Sequence, residues 1–258
     1  MRKKLLIAGA LFFSVTLIVW FFVSKKIEPV TVVEEKNVVE EKPIEAVKPL
    51  LTGLFAEHIF NVKEKKQVYK NVINIRKENN IYYFNGVVIK KGEKNIVTEA
   101  KLNTDFETLE WKFTDPKKGI KVAAVRKGNK IILTGTFDKK ENNKKEINID
   151  ERKWLQIYQL GMMRFAVKET KGKSIEFWSL NPDDPGNVMV LAAVKENQET
   201  IELNGKTIKT ARLKICLAGF LSFFWTGDYW FRLSDGFFVR AKVSGDIFVE
   251  LKEEKQKK

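Results

Sequence analysis

The chain predicts a mainly β protein: a curved antiparallel sheet, half-barrel or β-roll, with one packed helix, preceded by a single N-terminal transmembrane helix. Three observations carry that prediction. Leu5 to Val23 runs nineteen residues without a charge. From Gln67 to Ile149, and again from Ser174 to Leu251, short runs rich in β-branched and aromatic residues recur between polar turns. Between Asp150 and Lys168 the apolar residues change to helical spacing.

Taken in order, Met-Arg-Lys-Lys precedes the uncharged run. At ~1.5 Å per residue that run covers roughly 28 Å as a helix, close to the ~30 Å of a bilayer's hydrocarbon core. Trp20 falls near its far end, where an interfacial aromatic is favoured. A cleaved signal peptide would have a shorter core ending in small residues. Phe21-Phe22-Val23-Ser24-Lys25-Lys26 is a poor site for that, and Ala8-Gly9-Ala10 comes too early. Residues 1–24 therefore read as an uncleaved signal anchor in the inner (cytoplasmic) membrane. Three basic residues ahead of the run against two behind favour a single pass with the C-terminal domain outside the cytoplasm, periplasmic or extracellular.

Residues 25–50 are rich in Glu, Lys, Val and Pro, with a crude repeat over 32–43, and read as an extended charged linker. The β-rich domain is expected over 51–252, with a charged tail at 253–258. Its first stretch, 51–62, reads as a short helix or a first ordered turn. It holds His58, the one histidine, for which a structural or surface role is expected because a metal site needs partners.

Strands are then expected at Val68–Arg76, Ile81–Lys90, Ile96–Asn103, Thr108–Phe113, Ile120–Arg126, Ile131–Phe137 and Glu146–Ile149, with Lys139–Lys145 as a separator. Tyr83, Trp111 and Phe113 are core candidates. Asp150 looks like an N-cap for a helix over Glu151–Lys168, broken near Gly161, whose stripe of Trp154, Leu155, Tyr158, Met162, Phe165 and Ala166 faces the sheet. Strands resume at Ser174–Leu180, Val188–Glu196, Thr200–Leu203 and Lys206–Ala218. The Asn181–Asn187 stretch between the first two is acidic and turn-like and fits no calcium loop.

Phe220 to Leu251 is the closing meander. Nine aromatic residues fall within nineteen positions there, divided by Thr226-Gly227-Asp228 and Ser234-Asp235-Gly236. Tyr229, Phe231 and Leu233 point one way, and Trp230 and Arg232 the other. Past the turn, Phe237, Val239, Ala241 and Val243 take one face, and Phe238, Arg240 and Lys242 the other.

The net charge is +14, about +12 of it on the domain once the N-terminal basic residues and the linker are set aside. Lysines are spread through the chain as a solvated exterior would have them, no nucleic-acid-binding pattern occurs, and no nucleic-acid partner is expected. The single cysteine, Cys216, lies in an apolar run and reads as a small buried hydrophobe. No nucleophile elbow, phosphate loop, Cys-x2-Cys, His-Glu-x2-His or dinucleotide fingerprint is present, so no enzyme, catalytic residue, metal or cofactor is expected.

Ile147–Leu160, Phe177-Trp178-Ser179-Leu180-Asn181-Pro182, Leu203-Asn204-Gly205-Lys206 and Tyr229-Trp230-Phe231-Arg232 ahead of Asp235-Gly236-Phe237-Phe238-Val239-Arg240 resemble the C-terminal half of exported bacterial β-rich proteins of unknown function. Those are in turn loosely similar in layout to lipoprotein-carrier half-barrels. The resemblance implies a curved sheet wrapped round a helix and an apolar hollow, and it brings no catalytic residues.

Two functions follow as expectations. In the first, a membrane-anchored envelope module binds a lipid or another apolar ligand, lined by Tyr158, Trp178, Trp225, Trp230 and Phe231, with Arg232, Arg240 and Lys242 at the rim for an anionic headgroup. In the second, the aromatics fill the core and the domain is a scaffold or assembly protein for another envelope protein.

Overall fold

The computed structural model describes residues 56–65, 67–219, 225–243 and 246–256. The expected anchor (1–24) and linker (25–50) lie outside them, as do Phe220, Phe223 and Phe224 of the closing meander. No helix among the described residues is long and apolar enough to cross a membrane.

Among the described residues, fourteen strands form one open antiparallel sheet. They are β1 (Ala56–Glu64), β2 (Gln67–Glu78), β3 (Ile81–Ile89), β4 (Ile96–Leu102), β5 (Thr108–Asp115), β6 (Ile120–Lys127), β7 (Lys130–Phe137), β8 (Lys140–Asn148), β9 (Ser174–Asn181), β10 (Asp184–Leu203), β11 (Lys206–Leu217), β12 (Thr226–Arg232), β13 (Phe238–Val243) and β14 (Ile247–Gln256). Their order is β8-β7-β6-β5-β4-β3-β2-β1-β14-β13-β12-β11-β10-β9. Two meanders are therefore joined through the β1–β14 pair, and the chain passes from one edge, β8, to the other, β9, by residues 149–173.

Alternation builds one buried face. Inward rows run across neighbouring strands, among them Ile75–Phe84–Ala100–Trp111–Ala124–Leu133 in the first meander. Leu213–Tyr229–Ala241 is one such row in the second. These residues are all nearly inaccessible and belong to one core. Gly135 permits a close approach there: its φ is +130°, and a Cβ would stand 2.1 Å from the Lys121 carbonyl oxygen, a distance no side chain tolerates.

The crossing from β8 to β9 departs from the sequence expectation. In place of one helix over 151–168 there is an extended strap and two short helical segments, α1 (Tyr158–Gly161) and α2 (Met163–Lys168), with the expected break at Gly161–Met162. The strap is held on both sides. Trp178 N–H donates to Lys153 O (2.8 Å) and Leu155 N–H to Trp178 O (3.0 Å), a parallel bridge along β9. Thr108 N–H donates to Trp154 O (2.8 Å), and Gln156 N–H to Thr108 Oγ1 (2.9 Å), at the start of β5. Backbone so engaged cannot also make helical i→i−4 bonds. Asp150 is accordingly no N-cap. Its carboxylate accepts from the Arg152 guanidinium and from Trp178 Nε1–H (2.7 Å) and is held far below the usual carboxylate range by them, Arg152 first.

Other differences have the same kind of cause. Residues 51–62 were expected as helix or turn, but β1 begins at Ala56 and pairs with both β2 and β14. The separator Lys139–Lys145 is largely strand, because the chain turns in two residues at Asp138-Lys139, both at positive φ. A Lys-rich strand at a sheet edge is a common guard against pairing with another chain. The tail at 253–256 completes β14, and Val188–Glu196 and Thr200–Leu203 are one strand, β10, carrying a bulge between Lys195 and Gln198. Tyr83 lies on the outer face beneath the Arg76 guanidinium, 4.1 Å away, while its neighbour Tyr82 is buried. Phe238 is buried alongside Phe237, since a register shift at Trp230/Phe231 sets it opposite Phe231. Cys216 is half-buried, its thiol shifted upward by that burial.

Candidate ligand cavity beneath the sheet

A hollow of about 560 Å³ lies between the inner faces of the two meanders, walled on one side by the strap and α1. Its origin is local. The inward row Ile73–Gly86–Thr98–Phe113 carries two small residues side by side on β3 and β4. The flanking rows carry Phe84 and Trp111 on one side and Phe60, Asn71 and Val88 on the other. Bulk at the ends and its absence in the middle leave a trough that the sheet's own side chains do not fill. Gly86 cannot be enlarged freely, since a Cβ there would meet the Phe84 ring at 3.0 Å. The far wall is Ser179, Leu180, Met189, Leu191, Leu217 and Trp225, and Phe237 and Phe238 complete it.

The lining is chiefly apolar, with Asn71, Thr98, Gln156, Tyr158, Gln159, Ser179 and Asn181 as its neutral polar members. Gln156 is spent on the protein: its Nε2 donates to Leu180 O (3.0 Å), and its Oε1 accepts from Leu180 N–H (2.8 Å) and Trp154 Nε1–H (3.1 Å). The Tyr158 hydroxyl is 3.1 Å from that of Tyr229, and burial raises both phenols above their ordinary range. Asp183 is the one charged residue among the described residues of the lining. Its carboxylate is exposed in the β9–β10 turn and ion-paired with Lys118.

Of the expected lining residues, the structure brings Tyr158 and Trp225 to the hollow. Phe231 is fully buried in the core, edge-on to Phe238. Trp178 lies on the outer side of β9, with its indole under Arg152 at 4.7 Å. Trp230 is likewise outside, its Nε1–H donating to Glu199. The expected basic rim is elsewhere. Arg232 is committed to Asp235 and Glu254 (2.6 and 2.9 Å), and Arg240 to Glu250 and the Glu202 carbonyl. Lys242 lines a separate shallow groove with Lys63, Asp228 and Phe248.

Sequence reasoning missed Asn71, Gly86, Thr98 and Ser179. A signal was available: on the alternating faces of three successive strands, Asn71 stands between Tyr69 and Ile73, Gly86 between Phe84 and Val88, and Thr98 between Ile96 and Ala100. Polar or bulkless residues at inward positions of neighbouring strands mark a gap in a core. His58, also inward, is fully buried and stacked on Phe237, a cavity residue, at 4.0 Å. Its Nε2 is 3.5 Å from Glu254 Oε1, a long polar contact with that carboxylate.

No family model and no curated protein matches the chain. Solved structures do. A β-barrel-like protein of a domain of unknown function from Brucella abortus is similar at 11% identity and a TM-score of 0.51, over 77% of this chain and 95% of that one. The hypothetical lipoprotein YmcC from Escherichia coli is similar at 12% identity and a TM-score of 0.38, covering 76% and 82%. A protein described as exported, with a YmcC-like fold, from Bacteroides fragilis gives 9% and 0.31, covering 78% and 95%. The first likeness shows the fold: this sheet is similar to that of the Brucella protein.

Proposed function

We propose that the chain is a membrane-anchored, non-enzymatic envelope protein that holds the acyl chain of a lipid, or an apolar group like it, in the hollow beneath the sheet. The observation that carries this is the cavity itself. At about 560 Å³ it falls within the ~300–1,000 Å³ of small-molecule sites, and it is mainly apolar with a few neutral polar groups. The tether in this reading is Leu5–Val23, whose length and lack of charge suit a bilayer. Anchor and hollow together suit a protein that accepts a lipid at the membrane from which it hangs. Recruitment of another envelope protein is the competing use of the domain.

Native mass spectrometry of the full chain released from its membrane tests the proposal. A population heavier by one acyl lipid is expected. Val88 faces the hollow, and Val88→Trp should reduce that population by about tenfold or more, the equivalent of ~1.4 kcal/mol. Val87→Trp, one residue away on the outer face, should leave it unchanged. An unliganded wild type with a single dominant protein partner would favour the scaffold instead.

A further inference from the structure

We infer that the hollow selects acyl ligands with an uncharged head, an ester, amide or hydroxyl, over those ending in a carboxylate or phosphate; the inference rests on the acyl-binding reading above. The chain carries a net charge of +14, yet among the described residues no Lys, Arg or His lines the cavity. Three basic side chains of the surrounding elements are held by acids. Lys118 is paired with Asp183 at the cavity's edge, Arg232 with Asp235 and Glu254, and Arg240 with Glu250. The one charge in the lining, Asp183, is negative, and its side chain is 71% exposed, which puts it at the mouth. An anionic head entering here would leave water, pass the already paired Lys118 and Asp183 at the mouth, and find no cation among the described lining residues. Burying an unpaired anion is among the costliest things a binding site can do.

A neutral head meets a different surface. Asn71 on β2 and Thr98 on β4 approach from one meander, and Ser179 on β9 and Gln159 on α1 from the other side. The side chains of these four have no hydrogen-bond partner among the described residues. Two amides and two hydroxyls offer both donors and acceptors, which an ester, amide or hydroxyl can satisfy without desolvating a charge. The positive exterior and the cation-free interior thus divide the work: the outside suits approach to an anionic surface, and the inside takes a neutral group from it.

Palmitate and palmitamide share a chain and differ in head charge at pH 8, so they separate the two cases. The full chain in nanodiscs, with empty nanodiscs as the blank, is titrated with each in competition against a fluorescent monoacylglycerol. Palmitamide should displace the fluorophore at a concentration lower by about tenfold or more. Equal potency, or tighter binding of palmitate, would overturn the inference and leave the acyl-binding reading standing. Failure of the fluorescent monoacylglycerol and both competitors to bind would remove the acyl-binding reading itself.

Discussion

Val87 and Val88 are adjacent in sequence and separated by the whole thickness of the sheet, one on the outer row Ile59–Val72–Val87–Val97 and the other in the hollow. That alternation made the facing of the closing strands legible at the residue scale, though not the site itself. It separated Tyr229 and Phe231 from Trp230 and Arg232, and the structure buries the first pair and leaves the second half-exposed. Size and hydrophobicity misled where they were allowed to outrank parity: Trp230 is large and aromatic but lies on the wrong face to line anything. The reverse error concealed Asn71, Gly86 and Thr98, which are not greasy yet define the hollow. Pairing was invisible for another reason. Nothing in the sequence says that Arg232 reaches Glu254, twenty-two residues on, because β14 returns beside β1 only in the fold. That contact predicts a pH dependence. His58 first, and then Arg232, hold the Glu254 carboxyl down at about 2. A depressed carboxylate contributes stability above its unfolded pKa, near 4.5, and that contribution is lost as pH falls through about 2. The thermal midpoint should therefore fall between those limits, and Glu254→Gln should show a smaller fall across the same window.

At the scale of elements, the strap at 153–156 ties the second meander to the first, since it is hydrogen-bonded to β9 on one side and β5 on the other. Gln156 is its keystone, with three side-chain hydrogen bonds in a buried setting. Gln156→Leu leaves the Leu180 N–H and carbonyl unpaired, and should lower unfolding stability by about 2–4 kcal/mol in a denaturant titration. Amide exchange at Leu180 should accelerate with it. The strap looks helical in sequence because Trp154, Leu155, Tyr158 and Met162 sit near helical spacing, and spacing alone cannot report that neighbouring strands compete for the same backbone groups. The interior strands of the first meander were well marked by alternation and Gly/Asn turns. Two of the misread stretches lack a two-faced pattern. β8 is mostly polar because it is an edge, and the last turn of β14 is charged because it runs out to solvent. β1 did alternate, with Ala56, His58, Phe60 and Val62 all buried, but a histidine in the inward series obscured it.

For the whole molecule, the proposal joins a bilayer-length apolar run, a charged linker and a rolled sheet with a cation-free hollow. Fractionation should recover the intact chain with membranes and resist carbonate extraction, as an uncleaved anchor requires. The general architecture was legible from composition and periodicity; the hollow was not, because a gap in a core is a property of rows across strands and not of any one strand. The most direct test is site mapping. A palmitoyl probe with a diazirine near its methyl end, photolysed with the full chain in nanodiscs and traced by peptide mass spectrometry, should label Val88, Met189, Leu191 or Trp225. Labelling confined to the outer-face residues Val68 and Val72, or none above the level of the Val88→Trp variant, would contradict the account.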